Sequence, residues 1–262
     1  MKEKVTIIGG GWLGIPLAAS LHQMGFNVVV SSREVEKWEL FKNNSWSPLG
    51  VTFSEKDVAF NLLGNNLLET NVLILALPPT GFINYPAIIA SIIAQIPADT
   101  QLILLSSTSV YEDTIGSVNE SSRLKNSSPL VLAERLVARQ KNHCILRLGG
   151  LIGPKRHPIH QIIKKSMPLS NGIAPVNLVH LNDVISAIKL LLSEKIIGKT
   201  LAVCSPEHPA RSDYYNAAAH FFYAKELIFT DGVLNKTVDG SAIEKWDNFC
   251  YSTSIYNFQF CN

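Results

Sequence analysis

Net charge is nearly absent from this chain, and charge of any kind is sparse: 23 Lys and Arg stand against 21 Asp and Glu, leaving +2 over 262 residues, with charged residues 17% of the total. A polymer of phosphates is recognised through a basic excess on one face, and the lack of one excludes nucleic acid as the main partner. Cysteine is equally scarce. Cys144, Cys204, Cys250 and Cys261 form no C-x-x-C pair, so neither a zinc site nor a thiol-exchange motif can be built on them, and they read as reduced thiols of a cytoplasmic protein. Long hydrophobic runs are missing too: Val72 to Leu77 stops at Pro78 and Pro79, far short of the roughly 18 apolar residues that span a bilayer. The N-terminal stretch opens like a secretory leader at Lys2 and Lys4, but three consecutive glycines, Gly9 to Gly11, and then Pro16 interrupt it. There is no internal repeat and no low-complexity tract. What is present is apolar content, 47% of the chain, enough for one large nucleus with a small appendage and too much for disorder.

Apolar runs alternate with helical spacing along the first half. Val5 to Ile8 reads as a strand, Leu13 to Leu21 as a helix closed by Gly25, Val28 to Val30 as a second strand, and Glu34 to Lys42 as a second helix. Further buried-type strands fall at Val72 to Ala76, Leu102 to Leu105 and Cys144 to Leu148, with helices at Tyr85 to Ile96 and Pro129 to Arg139 between them. Continuous apolar strands separated by helices predict a parallel sheet covered on both faces. After Gly153 the rhythm changes, with prolines at 154, 158, 168 and 175, and an appendage is expected to begin there. A helix over Val184 to Leu192, started by Asn182-Asp183 with Asp183 as its cap, and a strand at Leu201 to Val203 return to the sheet. The tail from Pro206, with a helix at Tyr214 to Phe222 and strand-like pieces near Leu227 to Phe229 and Asn235 to Val238, goes to the appendage.

The first strand runs into Gly9-Gly10-Gly11-Trp12-Leu13-Gly14, which fits G-x-G-x-x-G. In that motif one glycine permits the tight turn, the next admits a pyrophosphate against the backbone, and the last lets helix pack on strand. An anion then rests on the helix N-terminus. The spacing points to a Rossmann-type doubly wound sheet that binds a dinucleotide at Gly9, Gly11, Trp12, Leu13 and Gly14. The end of the second strand selects the cofactor: an acid there accepts from the ribose 2′-hydroxyl, whereas a 2′-phosphate needs a cation. Ser31, Ser32 and Arg33 stand at that end with no carboxylate, which favours NADP over NAD. Glu34, one residue later, leaves NAD open.

From Ser106-Ser107-Thr108-Ser109-Val110-Tyr111 onward the chain resembles an extended short-chain dehydrogenase/reductase of the NAD-dependent epimerase/dehydratase family. Leu146 to Pro154 is similar to the family's strand leading to a G-P turn, and Val179-His180-Leu181-Asn182-Asp183-Val184 to its H-x-x-D-V segment. Leu77-Pro78-Pro79 matches an atypical subgroup with the G-x-G-x-x-G turn. The resemblance implies that Leu77, Pro78, Pro79 and Ser106 border the cofactor and that Ser107 touches the reacting group. The family pairs tyrosine and lysine as Y-x-x-x-K, lysine lowering the tyrosine pKa so that the phenol can pass a proton during hydride transfer. Aligned on Ala133-Glu134, these positions hold Asn126 and Leu130, and no tyrosine occurs between Tyr111 and Tyr214.

Three readings follow from that departure. In the first, the protein is an oxidoreductase or epimerase-like enzyme acting on a carbonyl or nucleotide-sugar substrate, with Ser107 and Tyr111 as its catalytic pair. In the second, it binds NADP(H) as a non-catalytic sensor or regulator. The third, kinship with 6-phosphogluconate or hydroxyacid dehydrogenases, requires a long helical second domain for which the chain has no room. Thr108, Arg147 and His180 are expected to face the substrate. His157 and His160 form an H-x-x-H without a third ligand, so no metal is expected. The expected architecture is α/β: a dinucleotide domain of residues 1–153 and 181–205, and a small C-terminal α+β lobe of 154–180 and 206–262. The expected partner is a small molecule, with no membrane and with a homodimer compatible.

Overall fold

The computed structural model describes residues 2–54, 59–63, 69–165, 169–230 and 232–261; Pro168, one of the prolines read as breaking the chain, lies outside them. Described in chain order, the first half runs β1 (Lys4–Ile8), α1 (Gly14–Gln23), β2 (Asn27–Ser32), α2 (Lys37–Asn43), β3 (Ser47–Ser54), β4 (Ala59–Leu63), β5 (Val72–Leu75), α3 (Tyr85–Ile93), β6 (Gln101–Ser107) and β7 (Gly116–Val118). The second continues with α4 (Pro129–Val137), β8 (His143–Leu148), β9 (Gly150–Ile152), α5 (Ile159–Lys165), β10 (Leu178–His180), α6 (Leu181–Ser193), β11 (Lys199–Val203), α7 (Arg211–Tyr223) and β12 (Lys236–Val238).

Eight strands form the main sheet in the order β11-β8-β6-β5-β1-β2-β3-β4, seven of them parallel and β4 antiparallel to β3. The apolar runs dictate this. In β5 all four residues are buried, and in β2 every residue after Asn27 is, as strands covered on both faces require. The chain leaves β1 toward β2, β3 and β4 and returns on the other side of β1 as β5, so the topological switch lies between β1 and β5. Open parallel sheets place their ligand crevice at the carboxyl ends of the strands flanking such a switch. No helix among the described residues is long and apolar enough to cross a membrane.

The residues form two compact units. One comprises Met1–Ser106, Lys125–Leu146 and Leu191–Thr200, the other Ser107–Leu124, Arg147–Leu190 and Leu201–Asn262. This division departs from a boundary at Gly153, because pairing across long sequence distances draws early segments to late ones: β7 pairs with β12, and β9 with β10. The proline-rich rhythm after Gly153 marks irregular chain rather than a change of unit. The second unit has a core of its own, in which Ile152, Ile159, Tyr214, Ala218 and Ile255 are buried together. Two expectations shift locally. The second helix starts at Lys37 rather than Glu34, and among the described residues Leu227 to Phe229 makes a single bridge, from Phe229 to Leu169.

Candidate functional site

In the first unit, β1 delivers the chain into the glycine turn and each glycine there answers to a different constraint. Gly9 has φ +123°, and a Cβ on it would lie 2.6 Å from the Ala76 carbonyl oxygen, so both conformation and space demand glycine. A Cβ on Gly10 would come within 2.5 Å of the Ser31 carbonyl oxygen and 3.0 Å of the Phe41 ring; one on Gly14 would sit 2.0 Å from the Gly9 carbonyl oxygen, where α1 closes on the turn. Of the four glycines in this turn, Gly11 alone faces open space, with nothing among the described residues within 4 Å of its ideal Cβ position. Helix α1 then begins with no side-chain cap and no acidic residue in its first turn, which leaves its positive end to an anion. Trp12 is half-buried and Leu13 buried. The motif identified Gly9, Gly11 and Gly14 and passed over Gly10, whose constraint comes from β2 and α2.

The β2 end is arranged differently from the expectation. Ser31 is buried and spends its side chain and backbone on the turn: its Oγ accepts from the Gly9 N–H at 2.9 Å and its carbonyl from the Gly10 N–H at 2.9 Å. The Ser32 hydroxyl accepts from the Glu34 N–H and donates to the Glu34 carbonyl, both at 3.0 Å. The Ser32 hydroxyl is thus used in both directions on Glu34, and Ser31 is buried at 2% exposure with its oxygen held by the turn. Arg33 is exposed, and Glu34 directs its carboxylate to Lys37 at 3.0 Å. Across the switch, Ala76 N–H donates to the Ile8 carbonyl, Leu77 is buried, and Pro78 and Pro79 are exposed. The Tyr85 hydroxyl donates to the Leu77 carbonyl at 3.1 Å and holds the start of that loop. Ser106, expected beside the cofactor, instead donates to Glu134 on α4 at 2.5 Å, both groups being buried. A buried carboxylate requires such a donor, and nothing local to Glu134 in the sequence signals that partner. On the same stretch, Asn126 accepts from Arg135 and Leu130 is buried.

The second unit gathers Ser107, Thr108, Tyr111 and Arg147. The half-buried Ser107 ends β6, its Oγ accepting from the Ser109 N–H at 3.1 Å and starting a single tight turn over Thr108–Val110. Its own O–H is thus left to donate elsewhere. Thr108 is buried, only 8% exposed. Tyr111, expected as half of the catalytic pair, has 0% exposure, and the Arg147 guanidinium lies 5.1 Å from its ring centroid, a cation over an aromatic face. Arg147 is likewise buried and donates to the Glu120 carbonyl at 3.3 Å, which makes it a packing cation rather than an open substrate ligand. Lys236 gathers the Tyr111 and Glu112 carbonyls and the Asp113 carboxylate within 3.3 Å.

His180 and Asp183 are used differently from the expectation. His180 is buried and its Nδ1 accepts from the Asn182 N–H at 3.1 Å, capping the turn into α6. Burial pushes its pKa down, and the charge of Asp183 partly offsets this. Asp183, buried inside α6, accepts from the Ser252 N–H and hydroxyl, both at 2.9 Å, and so fastens the C-terminal segment rather than capping the helix. His157 Nδ1 accepts from the Ile159 N–H, which leaves Nε2 to carry the proton and donate to Tyr214 at 2.7 Å; the Tyr214 hydroxyl passes on to the Ile255 carbonyl. Both ring nitrogens are committed within the protein. Burial, and then His160, push the His157 pKa down to about 4. Among the described residues no group of three or more His, Cys, Asp or Glu is placed to hold a metal ion.

No protein-family model matches the chain. It is 32% identical over 259 residues to Protein YeeZ of Escherichia coli strain K12, an alignment covering 92% of this chain and 93% of that protein. Among solved structures, a functionally unknown conserved protein from Silicibacter pomeroyi DSS superposes with a TM-score of 0.76 at 20% identity, over 97% of this chain and 95% of the other. UDP-glucuronic acid 4-epimerase from Bacillus cereus, solved in complex with NAD, does so with 0.73 at 16% identity, over 98% and 94%. The fold is thus the Rossmann-type α/β fold of the NAD-dependent epimerase/dehydratase proteins.

Proposed function

The chain belongs to the family of Protein YeeZ, and on that footing we propose that it binds a nicotinamide dinucleotide on the glycine turn, NADP(H) before NAD(H), and acts as an oxidoreductase or epimerase-like enzyme on a carbonyl or nucleotide-sugar substrate. One observation carries the reading. Of four glycines packed around the first turn, three are fixed by neighbouring atoms and Gly11 alone borders empty space, beside the uncapped start of α1. That is the space a pyrophosphate would fill, and the epimerase of like fold was solved with NAD.

Gly9 to Gly14 would hold the pyrophosphate, Arg33 the 2′-phosphate, and Leu77 to Pro79 the far edge. When bound, the cofactor supplies or accepts a hydride. The chain's own residues then have to orient the substrate oxygen and move its proton. The Ser107 hydroxyl, whose oxygen already accepts from Ser109, donates its proton toward that oxygen. Tyr111 is the proton donor on this reading, its phenol being the nearest in sequence to the end of β6. General acid assistance is worth about 10² to 10⁴-fold, so without the lysine of Y-x-x-x-K turnover is slow.

The complete burial of Tyr111 under Arg147 favours a second reading, an NADP(H)-binding sensor without turnover. Both are tested by following NADPH oxidation over a panel of carbonyl compounds and UDP-glucose. Slow turnover that Tyr111→Phe abolishes, with NADPH affinity unchanged, supports the enzyme. No oxidation across the panel, together with an NADP(H)-dependent change in oligomeric state, supports the sensor. Fast turnover that survives Tyr111→Phe combined with Ser107→Ala overturns the residue assignment.

A further inference from the structure

The segment that follows β2 carries opposing charges in equal number: Arg33, Lys37 and Lys42 against Glu34, Glu36 and Glu39. A 2′-phosphate brought to Arg33 meets this mixture. Glu34 stands nearest the strand end, because its N–H and carbonyl are both tied to the Ser32 hydroxyl at 3.0 Å. An acid at that place serves NAD, where it accepts from the ribose, and opposes NADP, where it repels the phosphate. Its carboxylate is turned to Lys37, with Nζ 3.0 Å from Oε1, and the Lys37 N–H donates to the Glu34 carbonyl at 3.2 Å. Glu39 is held in the same way by Lys42, at 2.9 Å. Arg33 and Glu36 are what remains.

We infer that Lys37 biases cofactor choice toward NADP(H), by holding and neutralising the Glu34 carboxylate so that Arg33 can receive the 2′-phosphate. The inference rests on the dinucleotide reading above. Lys37 acts through Glu34, as a positioning residue, and makes no contact with the phosphate itself. Because the pair is solvent-exposed, the effect is that of a screened charge, about fivefold in affinity.

Calorimetry with NADPH and NADH on the full chain, in the four combinations of Glu34→Gln with Lys37→Met, tests this at low salt. The expected result is a preference for NADPH that falls about fivefold in Lys37→Met, is retained in Lys37→Arg, and changes by less than about twofold when Lys37→Met is added to Glu34→Gln. A preference unchanged in Lys37→Met overturns the inference. So does an equal fall in both backgrounds, which would make Lys37 a direct phosphate ligand. Should the wild-type chain bind neither dinucleotide, the cofactor reading itself falls and takes this one with it, a failure distinguishable because it is seen before any substitution is made.

Discussion

Replacing Gly11 with valine separates the space for a ligand from the space for the fold. The backbone at Gly11 is not in the left-handed region, the residue is exposed, and an added Cβ meets nothing within 4 Å, so the folded state has no steric reason to resist the change. A stability loss within about 1 kcal/mol is expected, the range for surface substitutions with an adjustment for a β-branched residue in a turn. A pyrophosphate seated on the turn would lose the backbone approach that glycine allows. Hydrogen bonds to a charged group are worth about 1.5 to 3 kcal/mol each. Losing two of them removes about 3 to 6 kcal/mol, roughly 10² to 10⁴-fold in affinity. Calorimetry reads the affinity directly. A thermal melt reads it a second way, since NADPH at 100 times its Kd stabilises the wild-type chain by about 2.7 kcal/mol and should leave the variant unmoved. Gly14→Ala is the contrasting control: its Cβ would sit 2.0 Å from the Gly9 carbonyl oxygen, so that chain should be destabilised by several kcal/mol whether or not ligand is present. A folded Gly11→Val protein with wild-type NADPH affinity would show that the turn does not hold the dinucleotide.

Two further outcomes follow from the same geometry. Arg33→Ala should cost NADPH about 1.5 to 3 kcal/mol of binding while barely changing NADH, and equal losses by titration would make Arg33 structural. His157 is neutral in the folded chain, with its pKa near 4 against an ordinary 6.5, so between those values the unfolded chain binds more protons and stability rises with pH. Its contribution is complete above pH 6.5 and is lost as pH falls toward 4, about 3 kcal/mol in all; denaturant midpoints that stay flat across that window would refute the burial of a neutral imidazole.

In the first half β1, α1, β2, α2, β5, α3 and β6 were legible because both signals are local, whereas β3 (Ser47–Ser54) and β4 (Ala59–Leu63) were not expected. Continuous β-branched runs mark strands covered on two faces, as in β1, β2 and β5, and G-x-G-x-x-G is a contiguous six-residue pattern, although the atoms that demand glycine at Gly9 and Gly10 come from Ala76, Ser31 and Phe41. The two short strands β7 and β9 carry no such signal. Each is three residues long and exists because a partner far along the chain, β12 or β10, supplies its hydrogen bonds. The split of the chain into units followed those pairings and so escaped a reading based on prolines.

Residue types at the site were determined by sequence, and their assignments were not. That Ser31, Ser32, Arg33 and Ser107 stand at strand ends follows from where the apolar runs stop. Which hydroxyl is free does not, because it depends on what the fold brings opposite: Gly9 N–H occupies the oxygen of a buried Ser31, Glu34 takes Ser32 in both directions, and Glu134 on α4 accepts from Ser106. Burial is collective in the same sense, since nothing local to Tyr111 announces that Arg147 will cover its ring, or that His180 will cap a helix while Asp183 holds the chain 69 residues on. Sequence alone determined a parallel sheet with its buried strands β1, β2, β5, β6 and β8, the glycine turn and the charge types beside it. Only the tertiary structure decided which polar groups are already spent, because a buried donor or acceptor must take whatever partner the folded chain places within 3 Å or so of it.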